Sequence, residues 1–548
     1  MRPVHELVEE AVDADPYLPQ RLTEAIDAAE LPPCYDNHPV VRSSVLPVLP
    51  YALYTDGLPY SMVDSVVGIW LVSLLTGARQ MIAVVRKKML CQCGCRGRDT
   101  FYAIMSWLRW SLQVCASGRH PTTRHDRARF FPKESFREEV AGSPLRVGAA
   151  ILYIKGDWAE FCERFGFPTS AHALRPCFCC SVPPGPQMYS PAGISQRIQP
   201  WRINTDTDFE RAFSRCERFV VLDPVLHQRI SAVLFYDKRP AGSHGRALLA
   251  DIPEANLMAG DRLEPSGSLP DPGDFELLSV FPCTVTFWKV SETSLAHFRS
   301  PLWSPDIGLT PSSTPAVDLL HTLYLGPMLT WTSCVFWAFL DANIWGQNSP
   351  SEFEGKVVTL GVLKTELFNF YSRYDSAHPY AKATRLSELT PKMVGLISGN
   401  RRLKFKAMET FFLLQFWLFF MPLHLGTIAD GEALLAAGQI MNKFVSKLKS
   451  WPVRLTFAWI GELLDLWKRF CSVAEDLELF TPKVHLMYHL ILRSAEHGNP
   501  WRYHTFLDEG LNRVLKRTLR LCHQCAFESL ALIKINDLLR RHGGQRHA

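Results

Sequence analysis

The hydrophobic positions between residues 51 and 85 form short apolar runs separated by turn residues. Three runs rich in Val, Ile, Leu and Tyr occupy residues 51–56, 66–75 and 80–85, and the dipeptides Asp56-Gly57 and Thr76-Gly77 stand between them. Short apolar runs bounded by such dipeptides are typical of strands joined by tight turns. The pattern therefore predicts a three-stranded meander.

The hydrophobic period changes after this meander. Residues 101–117 are amphipathic with helical spacing, and residues 146–154 form a further apolar run that ends at Lys155-Gly156-Asp157. Three strands, a helix and a fourth strand make an α/β pattern. Residues 181–315 are rich in loop residues and contain three short strand candidates, at 219–222, 230–235 and 284–289.

From residue 317 onward the hydrophobic period is helical almost throughout, and no repeat of fixed length is present. We divide the chain into an N-terminal helix and lead-in (1–50), the first part of an α/β core (51–180), a loop-rich β-containing insertion (181–315), a helical insertion (316–480) and C-terminal helices that return to the core (481–548). Such an organisation is α+β overall, with a helix-rich C-terminal half.

Composition places the chain among ordinary globular proteins. Of its 548 residues, 47% are hydrophobic and 21% are charged, which excludes disorder as a description of the whole. The net charge is +5, and residues 493–548 hold ten Lys/Arg against five Asp/Glu, an excess equal to the entire net charge. A basic end suits contact with a polyanion, although a solvated helix face has the same composition.

The sequence lacks several features, and each missing feature argues against one class of protein. Residues 1–15 lack the apolar core of a signal peptide, and polar residues and proline interrupt the longest apolar stretches, which favours buried helices over membrane spans. Fifteen cysteines are too few for a disulfide scaffold. Neither G-x-x-x-x-G-K-[ST] nor G-x-G-x-x-G occurs, so no nucleotide cofactor is expected. We expect an intracellular protein without membrane contact.

Two acidic residues stand at the ends of predicted strands. Asp56 ends the first strand and Asp157 follows the fourth, so the two carboxylates would be neighbours if these strands pair. Paired carboxylates are costly without a cation, and their oxygens suit Mg²⁺ or Mn²⁺. The alternative is that each Asp is a turn residue, because Asp-Gly is a common turn dipeptide.

These acids belong to a series of motifs that resembles the CACTA (En/Spm-like) DDE transposases of the RNase H-like superfamily. Thr55-Asp56-Gly57, then Asp157-Trp158-Ala159, then Pro176-Cys177-Phe178-Cys179-Cys180 follow in the family's order. Downstream, Asp318-Leu319-Leu320-His321 resembles an Asp-x-x-His motif. Finally, Pro482-Lys483-Val484-His485-Leu486 and Phe506-Leu507-Asp508-Glu509 resemble the last segment. The match is divergent, since the Ala stands two places after Asp157 instead of three.

The resemblance implies an RNase H-like core, a mixed sheet with flanking helices, interrupted by a mixed β and large all-helical insertion. Asp56, Asp157 and Glu509 would hold Mg²⁺ or Mn²⁺, with Asp508 as the rival of Glu509. The implied reaction is hydrolysis and strand transfer of DNA phosphodiesters. The implied partner is double-stranded DNA at transposon ends, and the implied setting is a nuclear homo-oligomer. Only about 50 residues precede Asp56, where the family has a DNA-binding region.

Further residues could support this site. Asp318 and His321, one helical turn apart, could assist the acids, or His321 could be a core histidine. One set of basic residues follows Glu509 on the same helical face: Arg513, Lys516, Arg517 and Arg520. A second set forms a short run earlier in the chain: Arg401, Arg402 and Lys404. Either set could contact phosphate or be solvated surface.

The cysteines form two clusters around the predicted core. Cys91, Cys93 and Cys95 follow the third strand, and Cys177 and Cys180 follow the fourth. Thiolates bind Zn²⁺ tetrahedrally, so the clusters could form a structural zinc site, or they could remain reduced buried thiols.

Two other classes of protein remain open. One is a catalytically inactive transposon-derived scaffold that binds DNA or protein. The other is an unrelated zinc-stabilised helical interaction protein. An active transposase differs from the inactive scaffold in having the carboxyl oxygens of Asp56, Asp157 and Glu509 roughly 4 to 6 Å apart, as a two-metal site requires. In the helical interaction protein the cysteine clusters would converge while the three acids lie scattered.

Overall fold

The computed structural model describes residues 1–91, 97–168, 176–183, 185, 188, 201–217, 299–401 and 403–543. The chain divides into two compact units: the first comprises Met1–Pro184, Trp201–Ala316 and Thr505–Ala548, and the second comprises Gly185–Pro200 and Val317–His504. The first unit gives way to the second after Ala316, where the sequence predicts the start of the helical part. The chain returns to the first unit at Thr505, whereas the sequence predicted this return at residue 481. The strand candidates at 219–222, 230–235 and 284–289 lie outside the described residues.

A four-stranded mixed sheet organises the first unit. Its strands are β1 (Val48–Pro59), β2 (Ser65–Ser73), β3 (Arg79–Arg86) and β4 (Gly148–Lys155), in the order β3-β2-β1-β4. Strands β1, β2 and β3 are antiparallel neighbours, and β4 pairs parallel to β1. The predicted meander is therefore confirmed, and the first and fourth strands are adjacent.

The predicted turn at Asp56-Gly57 is wrong. Asp56 and Gly57 lie inside the β1–β2 ladder, opposite Gly68 and Val67. Leu58 beyond them is buried, and burial of this apolar side chain favours continued pairing past the polar dipeptide. The chain turns instead at residues 60–64. Asp56 is thus a strand residue with a fixed orientation.

Eight helices of the first unit precede the second unit within the described residues: α1 (Val4–Ala14), α2 (Leu18–Asp27), α3 (Pro33–Asn37), α4 (Pro39–Ser43), α5 (Arg98–Ser117), α6 (Ser135–Glu139), α7 (Trp158–Phe165) and α8 (Asp206–Glu217). Helices α1 and α5 pack on each other and on β4. The single helix expected within residues 1–50 is wrong, because the segment forms four. Prolines in the first turns of α2, α3 and α4 explain the breaks, since proline starts a helix readily but does not continue one.

The second unit is helical in its described part. Its helices are α9 (Pro327–Ala342), α10 (Glu352–Ala377), α11 (Ala407–Phe420), α12 (Gly431–Ser450), α13 (Phe457–Asp476), α14 (Pro482–His497) and α15 (Pro500–Tyr503). Buried tryptophans form much of the core, and Gly438 of α12 admits the Trp331 ring, because a Cβ there would lie 2.4 Å from Cζ2. The stretch Leu320–Ala342 is long and apolar enough to span a membrane, but 72% of its most apolar window is buried in the protein, as in a core helix.

Two C-terminal helices belong to the first unit again. Helix α16 (Phe506–Arg520) packs on β1, and α17 (Phe527–Gly543) packs on β3. The Asn536 amide fastens α17 to β3 by accepting from Met81 N at 2.8 Å and donating to Met81 O at 3.1 Å. The chain therefore returns a helix beside the strand that carries Asp56, and the helix-rich α+β organisation is confirmed.

Candidate active site

Asp56 projects from β1 with one carboxylate oxygen held by two donors. The Tyr54 hydroxyl donates to Asp56 Oδ2 at 2.8 Å, and the Asn512 amide of α16 donates to the same oxygen at 2.6 Å. Tyr54 lies on the same face of β1 because side chains alternate along a strand. The side chain of Asp56 is therefore oriented by both a strand and a helix.

Asp157 stands between the end of β4 and the start of α7. It is the N-cap of α7, where its Oδ1 accepts from Glu160 N at 2.6 Å. A capping aspartate stabilises a helix by about 0.5–2 kcal/mol, so this residue has a structural role whatever its chemistry. Because β4 is parallel to β1, Asp157 follows β4 next to the strand that carries Asp56.

Helix α16 carries the two candidates for the third acid, and their surroundings differ. Asp508 is buried, and both of its oxygens are engaged, Oδ1 by Arg79 Nε at 2.7 Å and Oδ2 by Lys155 Nζ at 2.6 Å. Glu509 is only half-buried, and its charge acts on Asp56. Asp508 is thus occupied as an ion-pair partner, which favours Glu509 as the acid of the site.

The charges around Asp56 act on its protonation. Burial raises the pKa of Asp56, the hydrogen bonds from Asn512 and Tyr54 oppose this rise, and the carboxylates of Glu509 and Asp157 add to it. The three acids do not gather into one compact group of ligand atoms in the described part of the chain. Asp56 interacts electrostatically with both of the other acids.

Glu160, on the first turn of α7, is a buried acid that the sequence analysis missed. It accepts from Thr55 Oγ1 at 3.4 Å and pairs with Arg164 Nε at 3.2 Å. Burial raises its pKa to about 7, against the lowering effect of Arg164, and the charges of Asp157 and Asp56 raise it further. Its position three residues after Asp157 was the signal available in the sequence.

The basic residues proposed to contact phosphate have different surroundings. On α16, Arg517 and Arg520 are exposed and Lys516 is half-buried, and Arg520 Nε donates to Tyr60 O at 3.1 Å. Arg513 is helical, but its side chain lies outside the described part of the structure. The cations that remain exposed on this helix could contact a polyanion.

The second basic run belongs to the second unit. Arg401 pairs with Asp341 at 2.9 Å and stacks over Trp337, with its guanidinium carbon 4.4 Å from the ring centroid. Arg402 lies outside the described residues, and Lys404 is exposed. The interactions of Arg401 within its own unit favour a structural role for that residue.

Asp318 and His321 interact with each other, as their spacing predicted. Asp318 is buried, and its Oδ2 lies 2.8 Å from His321 Nδ1 and accepts from His321 N at 2.9 Å. The pair begins the π-helical segment Leu320–Tyr324 of the second unit. The aspartate therefore orients the imidazole, whatever role the histidine has.

No disulfide joins the described cysteines of the first unit. Cys91 is half-buried, and Cys93 and Cys95 lie outside the described residues. Cys177 and Cys180 are buried, and burial raises the pKa of the Cys177 thiol. The structure therefore describes three members of the predicted zinc ligand set, Cys91, Cys177 and Cys180.

Helix α14 of the second unit presents a pair of histidines that the sequence analysis did not select. His485 and His489 are buried one turn apart, with their Nε2 atoms 3.1 Å from each other. Burial lowers the pKa of His485 to about 4, although a hydrogen bond to the backbone of Met188 opposes this, and burial lowers the pKa of His489 as well. Both imidazoles are thus neutral at pH 7, the form that binds metals. The His-x₃-His spacing was the available signal.

The first unit therefore places one acid on β1, a second directly after the adjacent strand β4, and a third on a helix packed against β1. Carboxylates in this arrangement are suited to hold hard divalent cations such as Mg²⁺ or Mn²⁺. No protein-family model matches the chain, and no curated protein or solved structure is significantly similar to it.

Proposed function

We propose that the chain is a DDE-type transposase with an RNase H-like core, which hydrolyses DNA phosphodiesters and transfers the strand. The observation that carries the proposal is the position of Asp56 on β1, which pairs parallel with the strand that leads to Asp157. Asn512, one turn after Glu509 on α16, donates to Asp56 Oδ2 at 2.6 Å, which brings the helix of the third acid beside the first. The alternative scaffold keeps the same fold without the metal chemistry.

The three acids hold the cations on which the reaction depends. A pair of bound divalent ions supplies an activated water or 3′-hydroxyl and stabilises the leaving oxygen of the phosphodiester. The oxygen–phosphorus bond to the leaving 3′-oxygen breaks as the bond to the attacking oxygen forms. Asp56, Asp157 and Glu509 would hold these ions through their carboxylate oxygens.

Residues near the acids support this role. Asp508 ties α16 to Arg79 of β3 and Lys155 of β4, which fixes the helix on which Glu509 stands. Lys516, Arg517 and Arg520 follow on α16 and would contact backbone phosphate of double-stranded DNA at transposon ends. A nuclear location and a homo-oligomeric state belong to the same proposal.

Cleavage of a labelled DNA duplex in Mg²⁺ or Mn²⁺ tests the proposal. We expect metal-dependent nicking by the wild type and its loss in Asp157→Asn, because asparagine caps a helix as well as aspartate does but lacks the charge that binds the ion. Glu163→Gln, on the same helix, is the control. Equal nicking by wild type and Asp157→Asn would contradict the proposal, and so would a wild type inactive on duplexes of every length and end structure.

A further inference from the structure

The two oxygens of the Asp56 carboxylate have unequal surroundings. Oδ2 accepts from both the Tyr54 hydroxyl, at 2.8 Å, and the Asn512 amide, at 2.6 Å. Oδ1 accepts no hydrogen bond from any residue that the structure describes. One oxygen is therefore saturated by neutral protein donors, and the other is available to a ligand.

The two donors come from different elements, and each is tied to a candidate acid. Tyr54 precedes Asp56 by two residues on β1, so both side chains point to one face of the sheet. Asn512 follows Glu509 by three residues on α16, so both lie on one face of the helix. Asn512 thus connects the helix of the third acid to the side chain of the first.

Both donors are held in place by their surroundings. Tyr54 is 3% exposed, and its ring cannot swing to solvent without opening the core. Helix α16 is anchored one turn before Asn512 by Asp508, which pairs with Arg79 at 2.7 Å and with Lys155 at 2.6 Å. The orientation of the Asp56 carboxylate is therefore determined by fixed parts of the first unit.

We propose that Tyr54 and Asn512 are positioning residues that hold Oδ2 of Asp56 and thereby present Oδ1 to a divalent cation. The inference rests on the proposed metal-dependent function. Hydrogen bonds to the outer atoms of metal ligands fix their orientation, and their loss typically weakens metal affinity by about 10–100-fold. Neither residue touches the substrate or the ion.

A purely structural role is the competing explanation. In that case the two hydrogen bonds only satisfy a partly buried carboxylate, and their removal lowers stability without changing how tightly the protein binds metal. The affinity for Mn²⁺ and the electron paramagnetic resonance spectrum of bound Mn²⁺ separate the two roles, since the spectrum responds to the geometry of the ligands and not to the stability of the fold.

The experiment titrates Mn²⁺ into wild type, Tyr54→Phe, Asn512→Leu and the double variant, with folding checked by circular dichroism. Each single variant should bind Mn²⁺ about tenfold more weakly, the double variant more weakly still, and the spectrum of bound Mn²⁺ should change. Asn512→Gln, which keeps an amide donor, should recover part of the affinity. Tyr60→Phe is the matched control, because the Tyr60 hydroxyl makes a similar bond to Asp64 Oδ2 at 2.8 Å.

The outcomes distinguish this inference from the function on which it rests. If the wild type binds Mn²⁺ and Tyr54→Phe and the double variant bind it equally well with an unchanged spectrum, the positioning role is refuted and the metal site stands. If the wild type binds no Mn²⁺, both fail. Should Asn512→Leu not fold, Tyr54→Phe and Asn512→Gln still decide, since the first removes only a hydroxyl and the second keeps the amide.

Discussion

Replacing Asp508 with alanine should lower the free energy of unfolding by about 3–5 kcal/mol, the cost of leaving buried charges without their partner. The Asp508 side chain is fully buried, and Lys155 beside it is 3% exposed. Removing the carboxylate leaves this ammonium and the Arg79 guanidinium without a charged partner, in a part of the protein that water hardly reaches. Urea unfolding, followed by circular dichroism, measures the change as a lower midpoint.

The control for this prediction is a weak surface pair on the neighbouring helix. Asp537 lies 3.8 Å from Arg540 and is half exposed, so Asp537→Ala should change stability by less than about 0.5 kcal/mol. Asp508→Asn, which keeps the size of the side chain but not its charge, should fall between the two. A loss below about 1 kcal/mol in Asp508→Ala would mean that the cations find water or another partner.

Replacing Asp56 with asparagine should cause a loss of metal binding without a loss of folding stability. Burial raises the pKa of Asp56, so the ionised form is less favourable in the folded protein than in the unfolded chain. Ionisation at neutral pH therefore costs stability, and this cost disappears as pH falls below the unfolded pKa of about 3.9. The asparagine carbonyl can still accept from Tyr54 and Asn512.

The measurement is the free energy of unfolding of wild type and Asp56→Asn at pH 7 and at pH 3.5, without metal. We expect the variant to be at least as stable as wild type at pH 7, and the difference to shrink at pH 3.5. Nicking activity should fall by on the order of 10³-fold or more, as happens when one member of a catalytic unit is removed. A large loss of stability at pH 7 would assign Asp56 a structural role.

The sheet of the first unit could be predicted from the sequence because its signals are local. The runs of Val, Ile and Leu that became β2 and β3 are nearly continuous, and the amphipathic stretch of α5 is long. The ends of the strands were harder to predict. Asp56-Gly57 has the composition of a turn, but both residues pair with Gly68 and Val67, and β1 continues through them. The pairing of β1 with β2 determines where β1 ends, and this pairing cannot be predicted from one short stretch of sequence.

The site was harder to predict because its contacts join distant residues. Asn512 bonds to Asp56 across 456 positions, and nothing near Asn512 in the sequence points to that partner. Asp508 and Glu509 are adjacent, so they differ by about 100° around the helix. Only the packing of α16 on β1 distinguishes the buried ion-pair residue from the acid beside Asp56. His485 and His489 were overlooked because an i, i+4 histidine pair is also common in an ordinary helical core.

The central claim is that Asp56 is a ligand for a divalent cation, and a calorimetric titration of Mn²⁺ into wild type and Asp56→Asn tests it most directly. We expect saturable binding by wild type and an affinity weaker by at least about tenfold in the variant, because asparagine lacks the charged oxygen that would bind the ion. Equal affinity in the two proteins would contradict the claim, because the ion would then be held without Asp56.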